Sequence, residues 1–128
     1  MGHVSEKTDT YAFGVVICEL LTGDPPADYA VGMMLAMKMQ APLMDAECSL
    51  PPMLDTRLGG GGGWPVPRAV ALGRIARRCI EMIAEQRCIV ADVLPELDEL
   101  AGRMAVVRAG RGEEYDPMTG ELVKTTVR

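Results

Sequence analysis

Residues 8–22 read TDTYAFGVVICELLT and carry the strongest helical pattern in the chain. Ser5 or Thr8 is suited to cap the first turn of this predicted helix, and Gly23, which two prolines soon follow, is suited to end it. Apolar side chains point in all directions around the predicted axis, and Glu19 is the one charged residue between positions 10 and 22. A helix that is apolar on every side is predicted to be buried on every side.

Three further segments carry apolar patterns. Residues 28–40 predict a second helix, whose methionines either pack in a core or form an adaptable contact surface: Met33, Met34, Met37 and Met39. Residues 67–82 predict a third helix with one apolar face and one arginine-rich face. A last apolar pattern runs to residue 104, and because Pro95 cannot donate a helical hydrogen bond, we expect this helix to begin at Asp92 as its N-cap.

Two segments lack such patterns. Residues 41–64 are predicted to be irregular, and the glycine run Gly59–Gly63 within them predicts a flexible linker. Residues 105–128 are predicted to form a polar, disordered tail with a turn at Asp116–Pro117. Since no segment alternates as a β-strand does, the patterns predict an all-α fold for residues 1–104.

Charge and cysteine content argue against several classes of protein. The net charge is −5, and residues 1–64 hold three cations and eight carboxylates, so a nucleic-acid-binding surface is not indicated. The four cysteines form no CxxC pair and His3 is the only histidine, so neither a zinc site nor a disulfide framework is indicated. A lone histidine near a terminus with no nucleophile beside it predicts no base catalysis. We expect an intracellular, soluble protein, because four unpatterned thiols fit a reducing compartment and no apolar stretch reaches the ~20 residues that span a bilayer.

Residues 2–23 resemble a segment of known proteins. Their sequence, GHVSEKTDTYAFGVVICELLTG, is similar to the segment after the activation loop of plant receptor-like and Pelle-like serine/threonine kinases, a tyrosine-kinase-like group. Residues 54–58, LDTRL, resemble the family's L-D-P-R-L. Cys79 and Arg87 resemble the family's approach to its last helix, although Cys88 stands in place of the usual proline. The resemblance covers residues 2–104 and implies the helical C-terminal sub-domain of the kinase fold, in an incomplete form.

The resemblance implies structural roles for Asp9 and Arg87. In the family, a carboxylate at the position of Asp9 accepts hydrogen bonds from the backbone of the catalytic loop. Without that role, Asp9 would act through the helix dipole, which contributes about 0.3–1 kcal/mol. The family's cation at the position of Arg87 pairs with the glutamate of an Ala-Pro-Glu motif. Because the sequence contains no such motif, we expect Arg87 to be unpaired or to face solvent.

The sequence contains none of the motifs with which a kinase binds ATP and transfers phosphate: the Gly-rich loop, the strand lysine, His-Arg-Asp and Asp-Phe-Gly. We therefore predict no catalytic, cofactor-binding or metal-binding residue, while ATP and magnesium are implied for a complete family member. One hypothesis is a catalytically incomplete portion of a serine/threonine kinase, from a truncated gene or an incomplete gene prediction. The alternative is a kinase-derived module that binds a protein partner without catalysis.

The apolar first helix also predicts weak packing. The resemblance implies that this helix is the central axis of the C-terminal lobe, with helices and the catalytic loop around it. Burying one large aliphatic side chain contributes about 1.5–3 kcal/mol, so several missing contacts could remove the ~5–15 kcal/mol of an ordinary domain. We expect the chain to associate with itself or with a missing kinase half.

Overall fold

The computed structural model describes residues 5–30, 32–57, 63–109, 113–115 and 122–125, with side chains described as far as residue 102. The chain divides into two compact units, Met1–Asp92 and Val93–Arg128. The domain boundary predicted at residue 104 falls inside the second unit.

The first helix, α1, spans Glu6–Thr22. The side chain of Ser5 accepts a hydrogen bond from the N–H of Thr8 at 3.3 Å, which satisfies one of the free donors of the first turn. Gly23 ends the helix in the left-handed region at φ 73°, and its N–H donates to the carbonyl of Glu19 at 2.8 Å. The predicted cap at Ser5 and the predicted stop at Gly23 are confirmed.

Residues 27–34 form a short antiparallel hairpin, in which β1, Ala27–Asp28, pairs with β2, Met33–Met34. The second helix, α2, follows at Leu35–Met44. The prediction of a helix from residue 28 is therefore wrong for the residues before 35. The Asp28 carboxylate accepts a hydrogen bond from the N–H of Ala30 at 3.0 Å, and this local turn competes with helix formation.

The segment after residue 40 is more regular than its prolines suggest. Helix α2 continues through Pro42, α3 spans Ala46–Ser49, and a 3-10 turn spans Pro51–Met53. Proline opens that turn, where a missing N–H costs nothing. The prediction of an irregular segment is thus wrong for residues 41–53. Residues 59–62 of the predicted glycine linker lie outside the described residues.

The remaining helices are α4, Val66–Cys79, and α5, Val90–Ala109, with a 3-10 turn at Ala84–Gln86 between them. Asp92 is not the N-cap of α5. Its carboxylate accepts a hydrogen bond from the N–H of Ile89 at 3.0 Å, which puts Asp92 in the first turn of α5.

Part of the predicted tail has regular secondary structure. Helix α5 extends past residue 104, and β3, Glu113–Tyr115, pairs antiparallel with β4, Leu122–Thr125. The turn predicted at Asp116–Pro117 lies outside the described residues. The two short hairpins correct the expectation that no strand would form, but the described residues are mainly helical, which confirms the all-α class.

The core of the first unit lies where α1 packs against α4 and α2. Gly14 permits this close approach, because a Cβ at this position would lie 2.7 Å from the Cβ of Cys79. Cys18 and Cys79 are fully buried, as predicted for small core residues. The other buried apolar side chains of the three helices include Ile17, Leu21, Leu35, Met39, Leu43, Val70, Ile75 and Ala76.

Candidate functional site

Arg87 lies at the end of the 3-10 turn and reaches the start of α1. Its guanidinium donates hydrogen bonds to three carbonyl oxygens, from Nε to Glu81 at 2.7 Å, from Nη1 to Lys7 at 2.8 Å and from Nη2 to Met82 at 3.4 Å. The same guanidinium lies over the ring of Tyr11, 4.9 Å from its centroid. In return, the ammonium of Lys7 donates to the carbonyl of Arg87. Arg87 therefore connects two segments that are distant in sequence.

Arg87 was expected to be unpaired or to face solvent, and the second of these alternatives is wrong, since the residue is only 9% exposed. Within the described parts of the chain, no carboxylate forms an ion pair with it. Burial of a charge is costly unless polar groups compensate for the lost water. Here three carbonyl oxygens and the ring of Tyr11 compensate the guanidinium for the lost water. Sequence spacing does not predict these partners.

Asp9 is placed differently. It is exposed in the first turn of α1, and among the described residues its carboxylate has no hydrogen-bond or ion-pair partner. The structure therefore does not bring the side chains of Asp9 and Arg87 together, although both lie at the same end of α1. In this position the carboxylate can interact with the helix dipole and is open to any donor that approaches from outside.

One side of α1 is largely exposed in the described structure. Val16 is 49% exposed and Leu20 is 56% exposed, one helical turn apart, and Ala12 lies one turn before them on the same side. The prediction that α1 would be buried on every side is wrong for this strip. We call Ala12, Val16 and Leu20 the outer face of α1.

A second group of residues contacts the C-terminal end of α1. The N–H of Asp55 donates to the carbonyl of Leu21 at 2.7 Å, and the Trp64 indole donates to that of Leu20 at 3.1 Å. Arg57 pairs with the Asp55 carboxylate at 3.0 Å and holds the pKa of that carboxyl below its usual value. Asp55 and Arg57 of the LDTRL motif thus have a structural role, since both contact the end of α1.

Exposed methionines lie in β2 and in the first turn of α2. Met33, Met34 and Met37 are 46%, 49% and 57% exposed, whereas Met39 is fully buried. Tyr29, in the turn of the hairpin, is 94% exposed. Of the two alternatives drawn from the sequence, core packing therefore applies to Met39, and an adaptable contact surface is open to the other three.

In the parts of the chain with described side chains, no group of three His, Cys, Asp or Glu residues could hold a metal ion. His3 and most of the glycine run lie outside the described residues. None of the described helices combines the length and the apolar character that crossing a membrane requires.

One pair of thiols was not predictable from sequence patterns. Cys79 and Cys88 lie nine positions apart, without a CxxC motif, and their Sγ atoms are 4.0 Å from each other. Burial raises the pKa of Cys79 to about 12, with a further contribution from Cys88 beside it. The two thiols meet because the chain turns back after α4.

Comparison with known proteins finds several plant kinases that are similar to this chain, although no protein-family model matches it. The inactive serine/threonine-protein kinase BKN2 of Arabidopsis thaliana is 29% identical over 102 residues, which cover 78% of this chain and 30% of that protein. The probable serine/threonine-protein kinase PBL18 of the same plant is 37% identical over 101 residues, 77% of this chain and 26% of that protein. Receptor-like cytoplasmic kinase 176 of Oryza sativa subsp. japonica is 30% identical over 101 residues, 77% of this chain and 25% of that protein.

These similarities agree with the helical fold and with the motifs at residues 2–23 and 54–58. The chain is homologous to plant receptor-like and related serine/threonine kinases over 77–78% of its length, which is consistent with a portion of the C-terminal lobe of the kinase fold. It spans between a quarter and a third of the length of these relatives.

Proposed function

We propose that the chain is a scaffold portion of a serine/threonine kinase domain that has no catalytic activity alone. The outer face of α1 is the observation that carries this proposal. Val16 and Leu20 are about half exposed on a helix whose opposite side forms the core. Removing exposed apolar surface from water lowers the free energy. This face is therefore suited to pack against further segments of a kinase domain.

In this proposal, phosphoryl transfer requires groups outside the described site. ATP and magnesium would be bound by the segments of a complete kinase that carry the Gly-rich loop, His-Arg-Asp and Asp-Phe-Gly motifs. The exposed Asp9 carboxylate would accept hydrogen bonds from the backbone of the catalytic loop, as the resemblance implies. Arg87 would hold the start of α1 in place through the carbonyl of Lys7.

An association experiment tests the proposal. PBL18 is expressed without the segment that aligns with this chain, and the two proteins are mixed and analysed by size-exclusion chromatography with light scattering. We expect a one-to-one complex that Leu20→Lys weakens at least tenfold, because a charge is introduced into the covered face. Met82→Lys is the matched control, since Met82 is also 56% exposed but lies outside α1. Absence of a complex with the wild-type chain, or equal loss with both variants, would contradict the proposal.

The exposed methionines favour the alternative of a non-catalytic interaction module. Met33 and Met37 flank the start of α2 and present flexible apolar side chains that adapt to varied partners. In this alternative the isolated chain is a folded monomer that binds a protein partner and whose melting temperature does not change with ATP and magnesium. Binding would be lost in a Met33→Gln, Met37→Gln double variant and retained in Met82→Gln.

Two further properties belong to the proposal. We expect the isolated chain to associate with itself through the outer face of α1 when no kinase segment covers that face.

We also propose an intracellular location. All four cysteines are free thiols, and a reducing compartment keeps thiols in this state: Cys18, Cys48, Cys79 and Cys88.

A further inference from the structure

Cys79 and Cys88 form a close pair of unequal thiols. Cys79 ends α4 and is fully buried, while Cys88 follows the 3-10 turn and is partly exposed. Their Sγ atoms are 4.0 Å apart. A change of rotamer moves a cysteine sulfur by about 3 Å, which is more than the approach needed for a bond of ~2.0 Å.

An open cavity of about 490 Å³ gives solutes access to Cys88. Three arginines and one glutamate lie among the side chains that line it: Arg77, Arg78, Arg87 and Glu81. Arg77 pairs with Glu81 at 2.9 Å, so the formal charge of these four side chains remains positive. A cavity with an excess of guanidinium groups attracts anions and raises their local concentration.

We propose that Cys88 is a modification site for small anionic disulfides, and that Cys79 then closes an internal disulfide with it. In the first step, the Cys88 sulfur attacks one sulfur of the small disulfide, its S–S bond breaks, and one small thiol leaves with the proton of Cys88. In the second step, the Cys79 sulfur attacks the Cys88 sulfur and a second small thiol leaves with the proton of Cys79. The two cysteines lose two electrons in total, and the small disulfide gains them.

The environment of Cys79 explains why Cys88 reacts first. Burial is the largest cause that raises the pKa of Cys79 to about 12, and the neighbouring Cys88 adds to it through its charge and its hydrogen bond. A buried thiol of this kind is a poor nucleophile near neutral pH. Once Cys88 carries a small thiol, its own negative charge can no longer form, which removes one cause of the raised pKa and favours the second step.

Mass spectrometry tests both steps. The full chain with Cys48→Ser, which removes an exposed thiol, is incubated with oxidised glutathione and then mapped by proteolysis without reduction. We expect a transient adduct of one glutathione on Cys88, then loss of two hydrogen masses and a peptide cross-linked between Cys79 and Cys88. Adding Cys79→Ala should stop the reaction at a stable Cys88 adduct, and adding Cys88→Ser should prevent the adduct and the cross-link. A stable adduct on Cys88 with Cys79 present, a cross-link elsewhere or no reaction would overturn the proposal.

A second measurement tests the preference for anions. The rate of Cys88 modification is measured with oxidised glutathione and with neutral hydroxyethyl disulfide, at low and at high salt. We expect the glutathione rate to fall several-fold at high salt, because salt screens the arginines, and the neutral reagent to change little. Equal salt dependence for both reagents would remove the anion preference from the proposal. Circular dichroism of each variant shows whether its helices are retained.

Discussion

The Nη1 atom of Arg87 donates a hydrogen bond to the carbonyl oxygen of Lys7 at 2.8 Å, across 80 positions of sequence. Lys7 lies in the first turn of α1, where its carbonyl also serves the helix, and Arg87 lies just before α5. This contact fixes the start of the helix that carries the outer face. The position of α1 therefore depends on a buried cation far along the chain.

Arg87→Met is expected to lower the free energy of unfolding by about 2–4 kcal/mol, because the carbonyls of Lys7, Glu81 and Met82 lose their shared donor. Arg87→Lys should lie between the wild type and Arg87→Met, since an ammonium cannot reach three carbonyls in a planar arrangement. Urea unfolding monitored by circular dichroism measures these differences.

Arg74→Met is the control for this series. Arg74 pairs with Glu47 at 2.7 Å, but both side chains are more than half exposed, at 58% and 71%. An exposed pair contributes about 0–1 kcal/mol, so this variant should unfold close to the wild type. If Arg74→Met and Arg87→Met lowered the free energy of unfolding equally, the buried contacts of Arg87 would contribute no more to stability than an exposed ion pair.

Gly14→Ala should destabilise the chain by about 1–3 kcal/mol through overpacking, although alanine favours a helix by ~1 kcal/mol over glycine. The added methyl would lie 2.7 Å from both the Cβ of Cys79 and the Cγ2 of Ile80, where α1 packs on α4. Gly102→Ala, in α5 with nothing within 4 Å of its added methyl, should instead stabilise by ~0.5–1 kcal/mol. Thermal unfolding of both variants distinguishes packing from propensity, and a more stable Gly14→Ala would disprove the close approach.

The stability of the chain should fall between pH 9 and 11. Burial raises the pKa of Cys18 from 9.0 to about 11, so the unfolded chain releases the thiol proton before the folded chain does. The contribution of the neutral thiol is fully present below pH 9 and is lost as the pH rises to about 11. Within this window the loss from Cys18 approaches ~1.4 kcal/mol per pH unit.

Urea unfolding at several pH values measures this slope. Cys18→Ala lowers stability at every pH because of the cavity it leaves, but it should flatten the slope relative to the wild type. Cys48→Ser is the control, since Cys48 is exposed and its replacement should leave the slope as it was. Parallel slopes for Cys18→Ala and the wild type would show that the Cys18 thiol is not protected by folding.

The outer face of α1 should make the isolated wild-type chain bind a hydrophobic dye and associate as its concentration rises. Leu20→Lys should reduce both dye fluorescence and the average mass in light scattering, because a charge on this face disfavours its burial in contacts between copies. Met82→Lys, at the same 56% exposure, should change both less. A cooperatively melting wild-type monomer without dye binding would contradict the self-association.

Local chemistry made some elements predictable. The cap at Ser5 and the stop at Gly23 depend on residues within one turn of the helix ends, so sequence was sufficient. The hairpin at residues 27–34 was missed because apolar periodicity continued through it, while the hydrogen bond from Ala30 to Asp28 decided the local conformation. The start of α5 was predicted three residues too late for a similar reason, since the carboxylate of Asp92 accepts a hydrogen bond from the N–H of Ile89.

For the site residues too, local motifs were predictable and long-range partners were not. The family motif identified Arg87, but its carbonyl partners come from three positions that no spacing rule connects. The pairing of Cys79 with Cys88 likewise depends on the path of the chain after α4, which apolar patterns do not specify. Long-range geometry of this kind is available only from the folded chain.

Incorporation of labelled phosphate from ATP and magnesium tests the central claim most directly. The purified 128-residue chain is incubated with labelled ATP and a general protein acceptor, with a complete active kinase of the same family as the positive control. We expect no incorporation into the chain or the acceptor above that of a boiled sample. ATP-dependent labelling that co-purifies with the chain and is lost in an outer-face or Arg87 variant would contradict the account.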